Sequence, residues 1–308
     1  MTDEEITFHK VNIVEIDEDF QSTRIDNFLL YKIKNVPKSR IYSMIRKGEV
    51  RINGSRCKPE KKLNKGDKVR IPPYKSVKNF IQKPKKSLIE LIKENIIFED
   101  NSILAINKPE GLASHGGSGI SLGLIESVRQ IDSKYSDAHL VHRLDRNTSG
   151  IMVLAKKRSA LRRLNEEIRQ GNVEKKYIAI VVGDWPKNIK RIDKKLLKNE
   201  LRSGEREVTV SEEGKESLTL VDLLENNKKF SKLECKLITG RTHQIRVHLK
   251  SEGFPIVGDE KYGYKDKNKL IKKQGINRML LHSKSLKFPQ LDLEFKAEEP
   301  NEFRTLFL

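Results

Sequence analysis

No apolar run in this chain is longer than about five residues; Ile178-Ala-Ile-Val-Val182 and Ile151-Met-Val-Leu-Ala155 are typical. A helix that spans a bilayer needs about 18–20 such residues in a row, so a membrane-spanning helix is excluded. Apolar segments this short, bounded by charge, read as strands or as stripes of short amphipathic helices. At 308 residues the chain is long enough for two domains, one with a full core. Its hydrophobic fraction of 36% is low for a globular protein but far above that of a disordered polymer. The acidic start Met1-Thr2-Asp3-Glu4-Glu5 has no apolar signal core, and Cys57 and Cys235 form no paired framework. A cytoplasmic location with two reduced core cysteines is expected.

Lys and Arg number 62 against 43 Asp and Glu, a net +19. Such an excess calls for a polyanionic partner, and no basic amphipathic helix stands out to suggest a membrane surface. The charge is concentrated: between Lys38 and Arg70, twelve cations face only Glu49, Glu60 and Asp67. Local structure there is legible. Thr23 and Asp26 can cap a helix with Ile25, Phe28, Leu29 and Ile33 on one stripe, ended by Val36-Pro37. Ser39 can cap a second, carrying Ile41, Met44 and Ile45 and closed by Gly48. Asn53-Gly54 predicts a hairpin after Val50 and Ile52, and Lys68-Val-Arg-Ile71 alternates as a strand. The runs Arg24-Ile-Asp-Asn-Phe-Leu, Lys38-Ser-Arg-Ile-Tyr and Arg46-Lys-Gly-Glu-Val-Arg-Ile-Asn-Gly resemble the S4 RNA-binding domain over about residues 22–72. That resemblance implies an S4-like domain over 1–72 that holds RNA through Lys38, Arg40, Arg46, Lys47, Arg51 and Arg56. Phosphate contacts of this kind give salt-dependent affinity without reading sequence. Prolines 72, 73 and 84 and the lysines among them predict a linker over 73–87.

The remainder, 88–308, mixes both periodicities. Helical stripes occur at Leu88, Leu91 and Ile92, at Leu124, Ile125, Val128 and Ile131, and after Ser159 at Leu161, Leu164 and Ile168 up to Gly171. A further helix is expected over about His243–Ser251. Strands are expected at Ile96–Phe98, Ile103–Ile106, Ile151–Ala155, Tyr177–Val182, Leu218–Leu224 and Leu233–Ile238. Strands outnumber crossover helices, which gives an α+β fold with a mixed, mainly antiparallel sheet flanked by helices. Between apolar segments lies the polar stretch Val141-His-Arg-Leu-Asp-Arg-Asn-Thr-Ser-Gly150, the kind of loop on which catalytic groups occur. Arg143 and Arg146 flank Asp145 and favour its charged form; salt bridging and catalysis fit the pattern equally. Leu144 interrupts a kinase-like His-Arg-Asp, and no Asp-Phe-Gly follows. Gly116-Gly-Ser-Gly119 lacks the Lys-Ser/Thr of a P-loop, and Ile120 breaks a hydrolase elbow. The spacing of His142, His243, His248 and His282 fits no metal-ligand pattern.

Five segments together, Val141–Lys156, Glu174–Val181, Thr239–His248, Pro255–Gly263 and Leu280–Phe288, resemble the RluA-type pseudouridine synthases. With the S4-like module the resemblance spans nearly the whole chain. It comes closest to members acting on the large ribosomal subunit, given Pro37-Lys-Ser, Arg46-Lys-Gly-Glu-Val-Arg and His115-Gly-Gly-Ser-Gly119. Asn147 stands where Asp is common and Ser283 where Ala is usual. The resemblance implies a monomeric, cofactor-free enzyme that isomerises uridines of 23S rRNA. It makes Asp145 the essential carboxylate, Tyr177 the ring against the uracil and Arg246 the partner of Asp145. It gives Arg143, Arg241, His142 and Leu281 to substrate binding. Whether Asp145 attacks, stabilises charge or removes a proton stays open. Two other readings share the scaffold: a non-catalytic rRNA-binding assembly factor, and a tRNA pseudouridine synthase.

Overall fold

The computed structural model describes residues 6–33, 36–77, 83–117, 122–200 and 206–307. The chain divides into two compact units, Met1–Lys83 and Pro84–Leu308. Among the described residues, no helix is long and apolar enough to cross a membrane.

In the first unit an antiparallel sheet runs in the order Asn12–Glu15, Lys68–Ile71, Arg51–Ile52, Ser55–Arg56. Phe28 and Leu29 of helix Ile25–Lys32 and Ile41, Met44 and Ile45 of helix Lys38–Arg46 pack with Val50 and Val69 in one buried core. Asn53 and Gly54 both take positive φ, 50° and 82°, the backbone that lets a two-residue turn follow the twist of its strands. The hydroxyl caps expected at Thr23, Ser39 and Ser159 are not used. Arg24, Pro37 and Lys157 hold the N-cap positions, none with a side-chain cap bond. The reason at the first helix is Asp26, whose buried carboxylate is taken by the Arg24 guanidinium, the Tyr42 hydroxyl and the Asn27 N–H. The linker expected over 73–87 is shorter than read: Tyr74–Val77 pairs with Ile6–His9, and helix Lys86–Glu94 claims the far end. Tyr74 stacks on His9 with ring centroids 4.3 Å apart, a long-range contact that local composition does not announce. Residues 78–82 of that stretch lie outside the described residues.

The second unit is built on a ten-stranded sheet. Its main path is Arg191–Asp193, Leu218–Asn226, Phe230–Leu237, Glu174–Val182, Leu281–Phe288, Ser149–Ala155, Ile103–Lys108, Ile96–Glu99. Among the described residues only Ser149–Ala155 against Leu281–Phe288 is parallel; the other pairs are antiparallel. The short apolar runs are the middle strands, covered on both faces. Tyr177, Ala179 and Val181 face one core with Ile245 and Leu249, while Ile178 and Ile180 face another with Ile271 and Phe303. Continuous rather than alternating hydrophobicity is what two-sided burial demands.

Candidate active site

Asp145 sits on the segment between strands His139–Leu140 and Ser149–Ala155, gripped on both sides by residues 108–114. The buried Ser114 hydroxyl donates to the Leu144 carbonyl at 2.6 Å and accepts from the Leu144 N–H at 3.0 Å. On the other side the fully buried Lys108 ammonium donates to the carbonyls of Pro109, Leu112 and Arg146 at 2.8, 2.8 and 3.1 Å. Gly150 completes the placement. Its φ of 112° and its approach to the Ser283 backbone leave no room for a Cβ. There the parallel register Ser149↔His282 and Gly150↔Ser283 brings the loop beside the strand that starts at Leu281.

Arg246 comes from helix Gln244–Ser251 and is 7% exposed. Its Nη1 donates to Asp145 Oδ2 at 3.0 Å, while Nε and Nη2 form a two-pronged pair with Asp259 at 2.8 and 2.9 Å. Asp259 also accepts from the Lys261 and Tyr262 N–H groups, so its carboxylate is fully engaged. Burial works against the Arg246 charge, but the two carboxylates outweigh it and raise its pKa above the ordinary guanidinium value. Burial likewise works to raise Asp259, and Arg246 with the two N–H donors brings it below the usual carboxylate range. The Tyr262 ring lies under the guanidinium, 4.9 Å away at its centroid, and its hydroxyl is 2.8 Å from His243 Nδ1. His243 Nε2 is 3.7 Å from Asp145 Oδ2, and burial lowers its pKa, leaving a neutral ring at neutral pH. Asp145 Oδ1 has no partner among the described residues. Asp145 lines a cavity of about 920 Å³ whose walls include Tyr177, Lys175, Arg246 and Leu281.

Arg246 thus holds one oxygen of the Asp145 carboxylate beside a cavity walled in part by Tyr177. The RNA pseudouridylate synthase model matches residues 102–251, and the S4 domain model matches residues 23–69. The protein named ribosomal large subunit pseudouridine synthase C from Haemophilus influenzae is 48% identical over 287 residues, covering 92% of this chain and 89% of that protein. Its namesake from Escherichia coli K12 is 46% identical over 282 residues, covering 90% and 88%.

The chain belongs to the RNA pseudouridylate synthase family.

Two solved human structures agree with that membership. RNA pseudouridylate synthase domain containing 1 superposes with a TM-score of 0.59 at 25% identity, over 71% of this chain and 87% of that one. Domain containing 4 gives 0.59 at 27% identity, over 71% and 94%.

Within this pseudouridylate synthase the residues singled out from sequence divide into those that converge and those that do not. Asp145, Tyr177, Arg246 and Leu281 meet at the cavity, and His142, Arg143 and Arg241 line it as well. Burial pushes the Tyr177 phenol up to about 12, with Ser283 pulling it down and Asp145 adding to the rise. The ring is therefore a neutral face at neutral pH rather than a ready base. His142 borders the cavity, but its Nε2 accepts the Val153 N–H at 3.0 Å and burial pushes its pKa down to about 4, so it ties the loop to the strand. Arg143 and Arg241 are exposed at the rim: Arg143 reaches His115 Nε2 at 3.2 Å, and Arg241 Nε donates to the Glu216 carbonyl at 3.1 Å. His248 is spent on the Ser217 and Thr219 hydroxyls. Of the glycine-rich turn, Gly116 donates to Glu126, while Ser118 and Gly119 lie outside the described residues.

In the first unit Arg40 pairs with Glu49 at 3.0 Å, and Arg51 is held by the Gly48 and Gly54 carbonyls. Lys38 lies 5.7 Å from the centroid of the Tyr42 ring. Arg46, Lys47 and Arg56 have no side-chain partner among the described residues. Sequence reading missed Asp259, Lys108, Ser114, Lys175 and Tyr262. Asp259 stood in a recognised segment without a role. A helix arginine that must be buried needs more than one acceptor, and that requirement was the available signal.

Proposed function

We propose that this enzyme isomerises selected uridines of large-subunit (23S) ribosomal RNA to pseudouridine. The bond from ribose C1′ to uracil N1 breaks, the base turns, and C5 joins the same carbon. The C5 proton leaves and N1 gains one, so nothing is added or lost overall. A base inside folded RNA must first leave its stack, and the cavity beside Asp145 is large enough to receive one.

The observation that carries this reading is the half-engaged carboxylate. Arg246 holds Oδ2 of Asp145 at 3.0 Å, which fixes the side chain and favours its anionic form, while Oδ1 is left for the sugar or base. Tyr177 offers a ring against the flipped uracil, and Leu281 an apolar floor. A glycoside hydrolase would need a second carboxyl group free to act as acid or base. Asp259 is 1% exposed with both oxygens taken by Arg246, so it serves position and not proton transfer. This intact machinery favours catalysis over a purely binding role, and the S4 domain with the large-subunit relatives favours rRNA over tRNA. The test is Asp145→Asn assayed on a large-subunit rRNA transcript. Pseudouridine formation should vanish while filter binding of the transcript is retained; turnover at the normal rate would end the proposal.

A further inference from the structure

Some cations of the first unit are tied to acids or carbonyls, while others, Lys47 among them, are free among the described residues. Arg24 is tied to Asp26, Arg40 to Glu49, Lys65 to Glu18 and Arg70 to the Glu49 carbonyl. Arg46, Arg56 and Lys58 are exposed and have no side-chain partner among the described residues. These three stand around one hollow of about 350 Å³ whose other walls are Tyr42, Ile45, Cys57 and Pro59. The Tyr42 ring is fixed before any ligand arrives, because its hydroxyl donates at 2.9 Å to Asp26, itself buried and held by Arg24. An apolar hollow with a pinned aromatic wall and a rim of unpaired positive charge matches a planar base with a phosphate on either side. The volume lies at the small end of ligand pockets, which run roughly 300–1,000 Å³. A duplex is instead read across its shallow minor groove and its phosphates.

We propose that this hollow is a nucleotide pocket, which takes one unstacked base of a single-stranded RNA segment against Tyr42 and Pro59, with flanking phosphates on Arg46, Arg56 and Lys58. The pocket rests on the RNA substrate proposed above and lies wholly within the first unit. It adds a preference for unpaired RNA to a surface that phosphate contacts alone would leave indifferent to strandedness.

The protein carries its own reporter. Cys235 is fully buried, whereas Cys57 is half-buried on the pocket wall, so thiol alkylation of the native chain reads this site. Burial pushes the Cys57 thiol up, and labelling therefore belongs at mildly alkaline pH. A short single-stranded oligoribonucleotide should slow Cys57 labelling in proportion to the fraction bound, while a duplex of the same sequence or inorganic phosphate should not. Tyr42→Leu should weaken single-strand binding about tenfold, the scale of one base–aromatic stack, and Tyr42→Phe, which keeps the ring but loses its anchoring hydroxyl, should weaken it less. Unchanged labelling with the oligonucleotide bound would overturn the pocket, as would equal protection by the duplex or by phosphate. If large-subunit rRNA binds and is modified while Cys57 stays open, only the pocket fails; if no RNA binds at all, the substrate reading fails with it.

Discussion

Arginine does opposite work in the two units. In the basic module Arg46 and Arg56 stand exposed and unpaired, while in the larger unit Arg246 is buried and closes on two carboxylates. A surface cation acts through a field that salt screens within about 10 Å. A buried one acts through geometry, since three of its donors are fixed and the low dielectric makes any loose end expensive. The net charge of +19 therefore bears on how the molecule meets a polyanion, and says nothing of Arg246 in the candidate site, which its own acids neutralise.

Substitutions can break that contrast. The largest effect is expected at Asp145→Asn, with turnover down by about three orders of magnitude or more and RNA affinity nearly unchanged, measured by single-turnover kinetics beside filter binding. Next, Arg246→Ala should remove activity and also cost about 3–5 kcal/mol of stability in urea unfolding, because Asp259 is left buried and unpaired. Arg56→Ala, by contrast, should leave the unfolding midpoint where it was. Equal stability losses at the two arginines would mean that burial does not divide their roles. Smaller again is the effect of removing Arg46, Lys47 and Arg56: binding weakens, and the salt slope flattens by about 0.7 for each lost phosphate contact on single-stranded RNA. Arg40→Ala should flatten it less, since Glu49 already neutralises Arg40.

The same division governs what was legible in the sequence. Surface and local features could be read directly: the Asn53-Gly54 hairpin, the helix over Leu124–Ile131, and the strands at Ile151–Ala155 and Tyr177–Val182. Their signals are periodicity and turn chemistry within a few residues. The strand Leu281–Phe288 was legible only as part of a resemblance, although it sits near the middle of the sheet. Its His282, Ser283 and Ser285 are buried polar residues, so no apolar pattern marks it; partners far away in sequence, such as the Ser149 hydroxyl on His282 Nδ1, make that burial tolerable. Asp145, Tyr177 and Arg246 came from resemblance as well, and their convergence across 101 residues of separation between Asp145 and Arg246 depends on sheet register. Lys108 and Asp259 show the limit. A buried charge has no sequence signature of its own, because the groups that make it affordable arrive only with the fold.

Lys108 gives the finest test of that last point. Its ammonium is completely buried and meets three carbonyls with no carboxylate in contact among the described residues, and burial pushes its pKa down to about 7 from about 10.5. Between those two values the unfolded chain holds a proton that the folded chain lacks. The stabilising term is complete above the unfolded value and is lost as pH falls through the folded one. The stability of the native protein relative to Lys108→Met should therefore climb from neutral to mildly alkaline pH, by at most about 1.4 kcal/mol per pH unit. Because Lys108 also anchors the Arg146 carbonyl next to Asp145, the same variant should lower kcat while leaving RNA affinity intact. A stability difference that stays flat across that range would show that the three carbonyls hold the ammonium charged, and that the buried lysine is a fixed clamp on the loop that carries Asp145 at every working pH.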